Sequence, residues 1–300
     1  MEKQLRAKPQ PRTIFNFAFI HLLPLFAIWT GATAFDWFLC GLLYFGRMFF
    51  ITGGYHRYFS HRTYSTSRAF QFVLAFCAQT SVQKGALWWA AHHREHHKHS
   101  DTPEDPHSSK VYGFWYSHIG WIMGPEYKPT LYHLIPDLAK FRELSWLNKY
   151  HLVPGLVLML VVWFVGGWVN GGSAATAFSH GVSSMLIGFF LSTAILFHGT
   201  FSINSLMHMI GKQRYKVDDE SRNSLVLALV TLGEGWHNNH HYYQASARNG
   251  FFWWEIDITY YGLKVFSWLG LVWDLRPVPQ RVKDARIKPE KKSRLKQQAA

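Results

Sequence analysis

Three separated clusters of histidine contain the residues of this sequence best suited to chemistry. The central cluster follows Trp88 and Trp89, and its core has the pattern HxxHH. The clusters contain His56 and His61, then His93, His96 and His97, and finally His237, His240 and His241. Neutral imidazole binds zinc, iron, copper and nickel. The clusters therefore predict a metal site whose ligands come from distant parts of the chain.

The spacing within the clusters predicts two metals rather than one. At about 100° per residue, helical positions i and i+4 face nearly the same direction, whereas position i+3 lies on the other side of i. His93 and His97 can therefore bind one metal while His96 leans towards a second. The third cluster repeats this arrangement, with His237 and His241 as the pair and His240 set apart. A single structural zinc takes only four ligands, fewer than the clusters offer.

Polar residues near the clusters are candidates for supporting roles. Asn204 and His208 are one helical turn apart at the end of an apolar run, where polar groups are costly and usually functional. Metal-bound histidines usually donate their second N–H to a carboxylate or a carbonyl. The carboxylates near enough to the central cluster to accept it are Glu95, Asp101, Glu104 and Asp105. A solvated acidic turn is the alternative for these residues.

The composition is typical of a membrane protein. Hydrophobic residues make up 48% of the 300 residues and charged residues 16%, against about 25% charged residues in soluble domains. No charged residue occurs from Thr13 to Phe35 or from Leu152 to Ile210. A helix of about 20 apolar residues crosses a bilayer. The sequence therefore predicts an all-α integral membrane fold with four transmembrane helices, at about residues 14–34, 37–52, 152–169 and 183–203.

The distribution of positive charge predicts the orientation. Lys and Arg are concentrated in the N-terminal arm, the central loop and the tail, and are absent from residues 31–36 and 166–181. The positive-inside rule places both termini and the central loop in the cytoplasm, so the histidine clusters would lie there in a helical cap. We predict one membrane domain over residues 1–280 and a basic polar tail over 281–300. A signal peptide cleaved after Ala34 is the alternative for the start.

Net charge indicates which partners the chain binds, and the cysteine content indicates whether disulfides stabilise it. The net charge is +13. Basic residues beside membrane spans contact anionic lipid headgroups, and no nucleic-acid-binding motif accompanies them here. Membrane lipids, and not nucleic acids, are therefore the predicted partners. Cys40 and Cys77 are the two cysteines of the chain, which excludes a disulfide framework.

Four motifs give the sequence a resemblance to a known family. They are HRYFSH at 56–61, HREHHKHSDTPEDPH at 93–107, NSLMH at 204–208 and GEGWHNNHH at 233–241. In this order and between paired spans, they resemble the membrane fatty acyl desaturases, in particular the stearoyl-CoA type that acts between carbons nine and ten. The resemblance covers about residues 37–254. It implies that a saturated acyl chain receives a cis double bond, with dioxygen as oxidant and two electrons from a ferredoxin or a b-type cytochrome with its reductase.

The resemblance also implies roles for individual residues. It implies a pair of iron ions, with Asn204 reaching the second iron through water. The implied ligands of the first iron are His56, His61, His93, His97 and His240, and those of the second are His96, His208, His237 and His241. His92 and His99 match no ligand position. Trp89 would line the tunnel for the acyl chain, or would instead anchor the protein at the membrane interface.

The sequence departs from the animal acyl-CoA enzymes beside the central cluster. Where those enzymes carry an Asn and an Arg-Asp pair, this chain has Lys84 and the dipeptide Ala91-His92. Acyl-CoA stays the first expectation for the substrate, with phospholipid-linked and carrier-protein-linked chains as alternatives. The compact form resembles bacterial members of the family, which implies an inner-membrane location. A membrane di-iron fatty acid or alkane hydroxylase is the nearest rival, and a metal transporter is a more remote one.

Overall fold

Helices make up nearly all of the regular structure in the computed structural model, which describes residues 8–125 and 129–287. The first part of the chain forms helices α1 (Pro11–Thr30), α2 (Ala34–Ser60), α3 (Arg68–Gln79) and α4 (Ala86–His99). α1 is interrupted by a 3-10 turn, Leu23–Phe26, that has Pro24 among its first two residues. A capping box between Thr33 and Asp36 starts α2.

The middle of the chain contains short helices followed by two long apolar ones. The short helices are Ser109–Tyr112, the π-helix Tyr116–Gly120, Trp121–Met123, the 3-10 helix Tyr132–Leu134 and Pro136–Ala139. They precede α5 (Arg142–Lys149), α6 (Val153–Asn170) and α7 (Ala174–His208). α7 contains a π-helical segment, Met185–Leu191, and ends in a 3-10 turn, Leu206–His208.

The C-terminal part packs back against the end of α2. It contains α8 (Leu225–Val230), α9 (His237–Tyr242), α10 (Ile258–Trp268) and the short helix Gln280–Asp284. Strand β1 (Ser65–Thr66) pairs antiparallel with β2 (Val272–Trp273). Val282 is buried in a cluster with Tyr215 and Phe251, so packing continues past the predicted boundary at residue 280. Residues 288–300 of the predicted tail lie outside the described residues.

Four helices in the described part of the chain are long and apolar enough to cross a membrane, namely α1, α2, α6 and α7. This is the predicted number, but two sets of bounds differ. α2 continues to Ser60 rather than ending near residue 52, because the helix changes to the π form and continues through Gly53 and Gly54. α7 runs from residue 174 to 208 rather than from 183 to 203.

Glycines bring α6 and α7 together. The sequence predicts a turn from Gly166 to Ser173, but α6 continues through Gly166 and Gly167, and only residues 171–173 separate the two helices. A Cβ atom at Gly166 would collide with the side chain of Ser184 on α7. These glycines therefore serve close helix packing rather than a turn, as small residues commonly do in membranes.

Arg47 is buried inside the helical bundle, although its position near a span end suggests that it extends to the membrane surface. Its side chain donates to Ser192 Oγ at 2.5 Å and to Thr193 Oγ1 at 2.7 Å, both on α7. It also donates to the carbonyl oxygen of Leu43 at 2.9 Å. These hydrogen bonds replace those to water that the guanidinium loses on burial. They also hold α2 and α7 side by side, and both helices carry candidate metal ligands at their ends.

The core beneath the histidine clusters is formed by α3, α4, α5 and the end of α2. Phe59, Leu87 and Leu144 are fully buried in it. Gln79 of α3 donates to the carbonyl oxygen of Leu147 at 3.1 Å and accepts from the N–H of Ala86 at 3.2 Å. This side chain thereby fixes the start of α4, the helix that carries the central histidine cluster.

Candidate metal centre

A π-helix brings His56 and His61 together. The N–H of His61 donates to the carbonyl oxygen of His56 at 3.2 Å, the five-residue step of a π-helix. The two imidazole centroids lie 4.8 Å apart. In an α-helix a spacing of five would turn the two side chains to different faces. The π-helix therefore brings the two imidazoles together without a bend or a break in the chain.

The central cluster divides on α4 as helix geometry predicts. The Nε2 atoms of His93 and His97 lie 3.0 Å apart, and His93 Nε2 lies 2.9 Å from His61 Nε2. His96 faces the other way, towards the rings of His208 and His241, with centroid distances of 5.6 Å and 5.4 Å.

The third cluster, on α9, contributes imidazoles next to His93 and His97 and also next to His96. His240 Nε2 lies 3.0 Å from His56 Nε2 and 3.0 Å from His97 Nε2. On the other side, His237 Nε2 lies 3.1 Å from Nε2 of His208 at the end of α7. The short helix α9 thus connects the ends of three longer helices, α2, α4 and α7.

Two groups of imidazole nitrogens result, and within each group the nitrogens lie within 4.8 Å of one another. The five-histidine group contains His56, His61, His93, His97 and His240, and the four-histidine group contains His96, His208, His237 and His241. The structure therefore brings together all nine histidines that the sequence analysis singled out, in the same two sets.

Carboxylates contact the outer nitrogens of several of these histidines. In the four-histidine group, Nδ1 of His96 is 3.0 Å from Asp105, Nδ1 of His208 is 2.9 Å from Asp101, and Nδ1 of His241 is 2.6 Å from Asp219. In the five-histidine group, Nδ1 of His56 is 2.8 Å from Oε2 of Glu234.

The sequence predicts contacts for Asp101 and Asp105, whereas Asp219 and Glu234 are found in the structure alone. Glu234 belongs to the motif GEGWHNNHH, so its proximity to the third cluster was a usable signal. Asp219 lies in a charged segment 22 residues from His241, and no local pattern connects the two. Glu95 lies 3.6 Å from His99, which belongs to neither group.

The donor set fits metal ions. A carboxylate can only accept a hydrogen bond, so Asp101 fixes the proton of His208 on Nδ1 and leaves a lone pair on Nε2. That lone pair faces Nε2 of His237 at 3.1 Å. Burial, reinforced by neighbouring imidazoles, holds the pKa values of five histidines well below the usual range, namely His61, His93, His97, His237 and His240. Burial also lowers the pKa of His241 to about 4. Facing lone pairs on neutral imidazoles are the arrangement that divalent metals bind.

Trp89 lies beside the five-histidine group, and Asn204 lies near the end of α7 beside the π-helix Tyr116–Gly120. Asn204 is the last residue of the α-helical part of α7, and its carbonyl oxygen accepts from Ser117 Oγ at 3.0 Å. The Trp89 ring stacks on His93 at a centroid distance of 4.9 Å and an interplanar angle of 24°. It also lies 5.5 Å from the ring of Tyr55, so Trp89 is in contact with the centre rather than isolated at the protein surface.

An open cleft reaches the five-histidine group. It has a volume of about 460 Å³, and His61 and His97 form part of its wall. Ser60, Arg94 and Lys98 line the rest of it together with Gln244 and Ala245. These imidazoles are therefore accessible from outside the helical bundle.

Several other histidines lie outside both groups. His118 Nε2 is 3.0 Å from His198 Nδ1, and His198 Nε2 is 3.2 Å from His21 Nε2. His118 Nδ1 is 2.9 Å from Ser205 Oγ. These contacts connect α1, α7 and the π-helix Tyr116–Gly120. His133 is exposed.

Known proteins with similar sequences agree with this arrangement. The family described as Fatty acid desaturase matches residues 28–264. The chain is 35% identical to an sn-2 palmitoyl-lipid 9-desaturase of Nostoc, over 88% of this chain and 90% of the relative. It is 34% identical to an sn-1 stearoyl-lipid 9-desaturase of Synechocystis, over 91% and 82%, and 32% identical to an acyl-CoA 5-desaturase of Anemone leveillei, over 88% and 78%. Its apolar helices, its histidine groups and these matches together assign the chain to the fatty acid desaturase family, whose members are oxidoreductases of lipid metabolism.

Proposed function

We propose that this protein is a di-iron desaturase that introduces a cis double bond between carbons nine and ten of a saturated acyl chain. The observation that carries the proposal is the convergence of nine imidazoles from four helices and their ends into two adjacent groups. The Nostoc and Synechocystis relatives are 9-desaturases, which supports the position of the double bond.

In this proposal each group of histidines binds one iron. The five-histidine group holds the first iron, and the four-histidine group holds the second, which Asn204 reaches through water. Imidazole suits iron as well as zinc, copper and nickel; the resemblance to the desaturases favours iron, which when bound would supply the activation of dioxygen. The chain's own contribution is orientation, because Asp101, Asp105 and Asp219 hold protons on the outer nitrogens and so direct the Nε2 atoms inward.

The overall reaction requires electrons and protons as well as dioxygen. Removing hydrogen from two adjacent methylenes yields two electrons and two protons, whereas reducing dioxygen to two waters consumes four of each. We assign the other two electrons to a ferredoxin or a b-type cytochrome with its reductase. The other two protons come from water, and the cleft beside His61 and His97 provides access for it.

The carrier of the acyl chain has two candidates. Resemblance to the stearoyl-CoA type favours acyl-CoA. Two observations favour a lipid-linked chain instead. Ala91 is fully buried, and His92 Nε2 lies 3.0 Å from the carbonyl oxygen of Pro129, so this dipeptide offers no charged contact for a thioester headgroup. The Nostoc and Synechocystis relatives are also lipid desaturases. Supplying purified protein with stearoyl-CoA or with distearoyl phospholipid in vesicles, each with reductant, distinguishes the two.

We further propose a bacterial inner-membrane location with both termini and the metal centre in the cytoplasm. The concentration of Lys and Arg in the arm, the central loop and the tail supports this orientation. A cysteine introduced at the exposed position of His133 should be protected in intact cells from a membrane-impermeant thiol reagent. Labelling of that cysteine in intact cells would reverse the orientation.

Lipid profiling by gas chromatography tests the function. Expression in a host that lacks its own desaturase should yield fatty acids with a double bond between carbons nine and ten. His97→Ala should abolish this product and lower the iron content while leaving membrane insertion intact, and His133→Ala should leave the product unchanged. An alcohol instead of an alkene would identify a hydroxylase, and metal uptake into vesicles without either product would identify a transporter.

A further inference from the structure

The carboxylates around the two histidine groups are distributed unequally. In the four-histidine group, all but His237 have an aspartate within 3.0 Å of Nδ1. In the five-histidine group, His56 is the one member that contacts a carboxylate of the described residues, that of Glu234. Nδ1 of His97 and of His240, like Nδ1 of His237 in the other group, is buried without a hydrogen-bond partner among the described residues.

Hydrogen-bond donors, rather than Lys or Arg side chains of the described residues, surround the three aspartates. Asp101 accepts from Ser108 Oγ at 2.9 Å and from the N–H of Glu220 at 2.8 Å. Asp105 accepts from the N–H groups of Asp101 and His107, and Asp219 from that of Ser221. In residues 8–125 and 129–287, no Lys or Arg forms an ion pair with any of the three.

Glu234, in contrast, is paired with a buried cation. Arg57 Nη2 is 3.0 Å from Glu234 Oε1, and Arg57 Nε is 3.2 Å from the same oxygen. Arg57 also pairs with Asp257 at 2.9 Å, so one guanidinium balances part of the charge of Glu234. Among the described residues, the four-histidine group thus faces three carboxylates that have no Lys or Arg partner, whereas the five-histidine group faces one carboxylate that shares a cation.

Negative charge and oriented imidazoles favour the higher oxidation state of a bound metal. A carboxylate that accepts from Nδ1 raises the basicity of Nε2, and a buried anion acts on a nearby cation with little screening. Both effects stabilise a ferric ion more than a ferrous ion. We infer that the two iron positions are electrochemically unequal: the iron of the four-histidine group holds its ferric state more strongly, and the iron of the five-histidine group is reduced first. This inference rests on the proposed di-iron function.

A reductive titration tests the inference. The full-length protein, loaded with ⁵⁷Fe, is reduced stepwise with dithionite and redox mediators, and Mössbauer spectra follow the one-electron reduction of each ferric ion. Two separate potentials are expected. Asp219→Asn should raise only the lower potential, by ~59 mV for an about tenfold weaker preference for the ferric ion. Asp218→Asn, the same change at the exposed neighbouring carboxylate, should shift neither.

The outcomes separate the inference from the proposed function. A single potential for both irons, or a shift of the upper potential in Asp219→Asn, would overturn the inference. If Asp219→Asn fails to retain iron, Asp101→Asn provides the same comparison through His208. A wild-type protein that shows two potentials but makes no unsaturated product would overturn the function and leave the inference standing, whereas a protein that binds no iron overturns both.

Discussion

Arg57 Nη2 lies 3.0 Å from Oε1 of Glu234, and each of these side chains is only 1% exposed. The same guanidinium lies 2.9 Å from Asp257, whose carboxylate accepts from the N–H of Tyr260 at the start of α10. One buried cation therefore joins the π-helical end of α2, the loop before α9 and the start of α10.

Arg57→Leu should destabilise the protein strongly, because Glu234 and Asp257 would be left as buried charges without a cation. Loss of one partner from a buried ion pair costs about 3–5 kcal/mol. Thermal unfolding of the purified protein in detergent measures the effect. Arg68→Ala is the control, because the pair of Arg68 with Glu143 is largely exposed and exposed pairs contribute little. Equal unfolding temperatures for Arg57→Leu and wild type would contradict the assigned role.

Removing the metal should lower the unfolding temperature. A metal that binds only the folded protein stabilises it, by about 2.7 kcal/mol at a free concentration one hundred times its Kd. Treatment with a chelator should remove this contribution, and adding ferrous iron under anaerobic conditions should restore it. His97→Ala should show a smaller response to the same treatment. An unfolding temperature that does not respond to chelation in wild type would argue against a metal bound to these nine histidines.

Trp89→Leu should lower the rate of desaturation by about 10–100-fold and spread the double bond over neighbouring positions. The indole stacks on His93, and removing it frees both the imidazole and the wall that the resemblance expects Trp89 to form beside the acyl chain. Gas chromatography of the products measures rate and position together. Trp115→Leu serves as the control, because Trp115 is 75% exposed. An unchanged product pattern in Trp89→Leu would favour a role for Trp89 in membrane anchoring alone.

Asp137 should make the stability of the structure around the central cluster depend on pH. Partial burial disfavours the charged form of its carboxyl group. The hydrogen bonds and positive charges of Arg94 at 2.7 Å and Arg62 at 3.0 Å outweigh this effect and hold the pKa of Asp137 below its usual range. A lowered carboxyl pKa adds stability at pH values above the unfolded pKa of about 3.9. This stability is lost as the pH falls through the lower, folded value.

The variant Asp137→Asn should therefore unfold at a lower temperature than wild type at pH 7, and the difference should shrink below about pH 4. Unfolding temperatures of both proteins across this range provide the test. Arg94 also donates to the carbonyl oxygens of Phe59 and Ser60, next to His61, so iron content at pH 7 should fall in the same variant. A temperature difference that stays constant with pH would show that Asp137 acts through its shape rather than its charge.

Local geometry accounts for the parts of the centre that the sequence predicts. The separation of His96 from His93 and His97 follows from the helical repeat alone. The convergence of His56 with His61 does not, because the π-helix at Ile51–Ser60 depends on packing against α3 and α4 as well as on its own residues. The contact of Asp219 with His241 is likewise decided by tertiary packing, since no periodic rule connects a loop residue with a helix 22 residues later.

The same limit applies to the membrane helices. Long apolar runs predict how many helices cross the bilayer, but Gly166 could mark a turn or a close approach, and only the partner Ser184 decides between them. Arg47 is a similar case, because its buried position depends on Ser192 and Thr193, which lie far along the chain.

The contribution of α9 to both histidine groups has a consequence for biosynthesis. His56, His61, His93, His96 and His97 are translated before α6 and α7, whereas His237, His240 and His241 leave the ribosome after all four long apolar helices. Neither group can be complete until then. In the proposed function, iron binding would therefore follow the synthesis of all four long apolar helices, and a nascent chain stalled before His237 would carry those helices yet lack ligands of both groups.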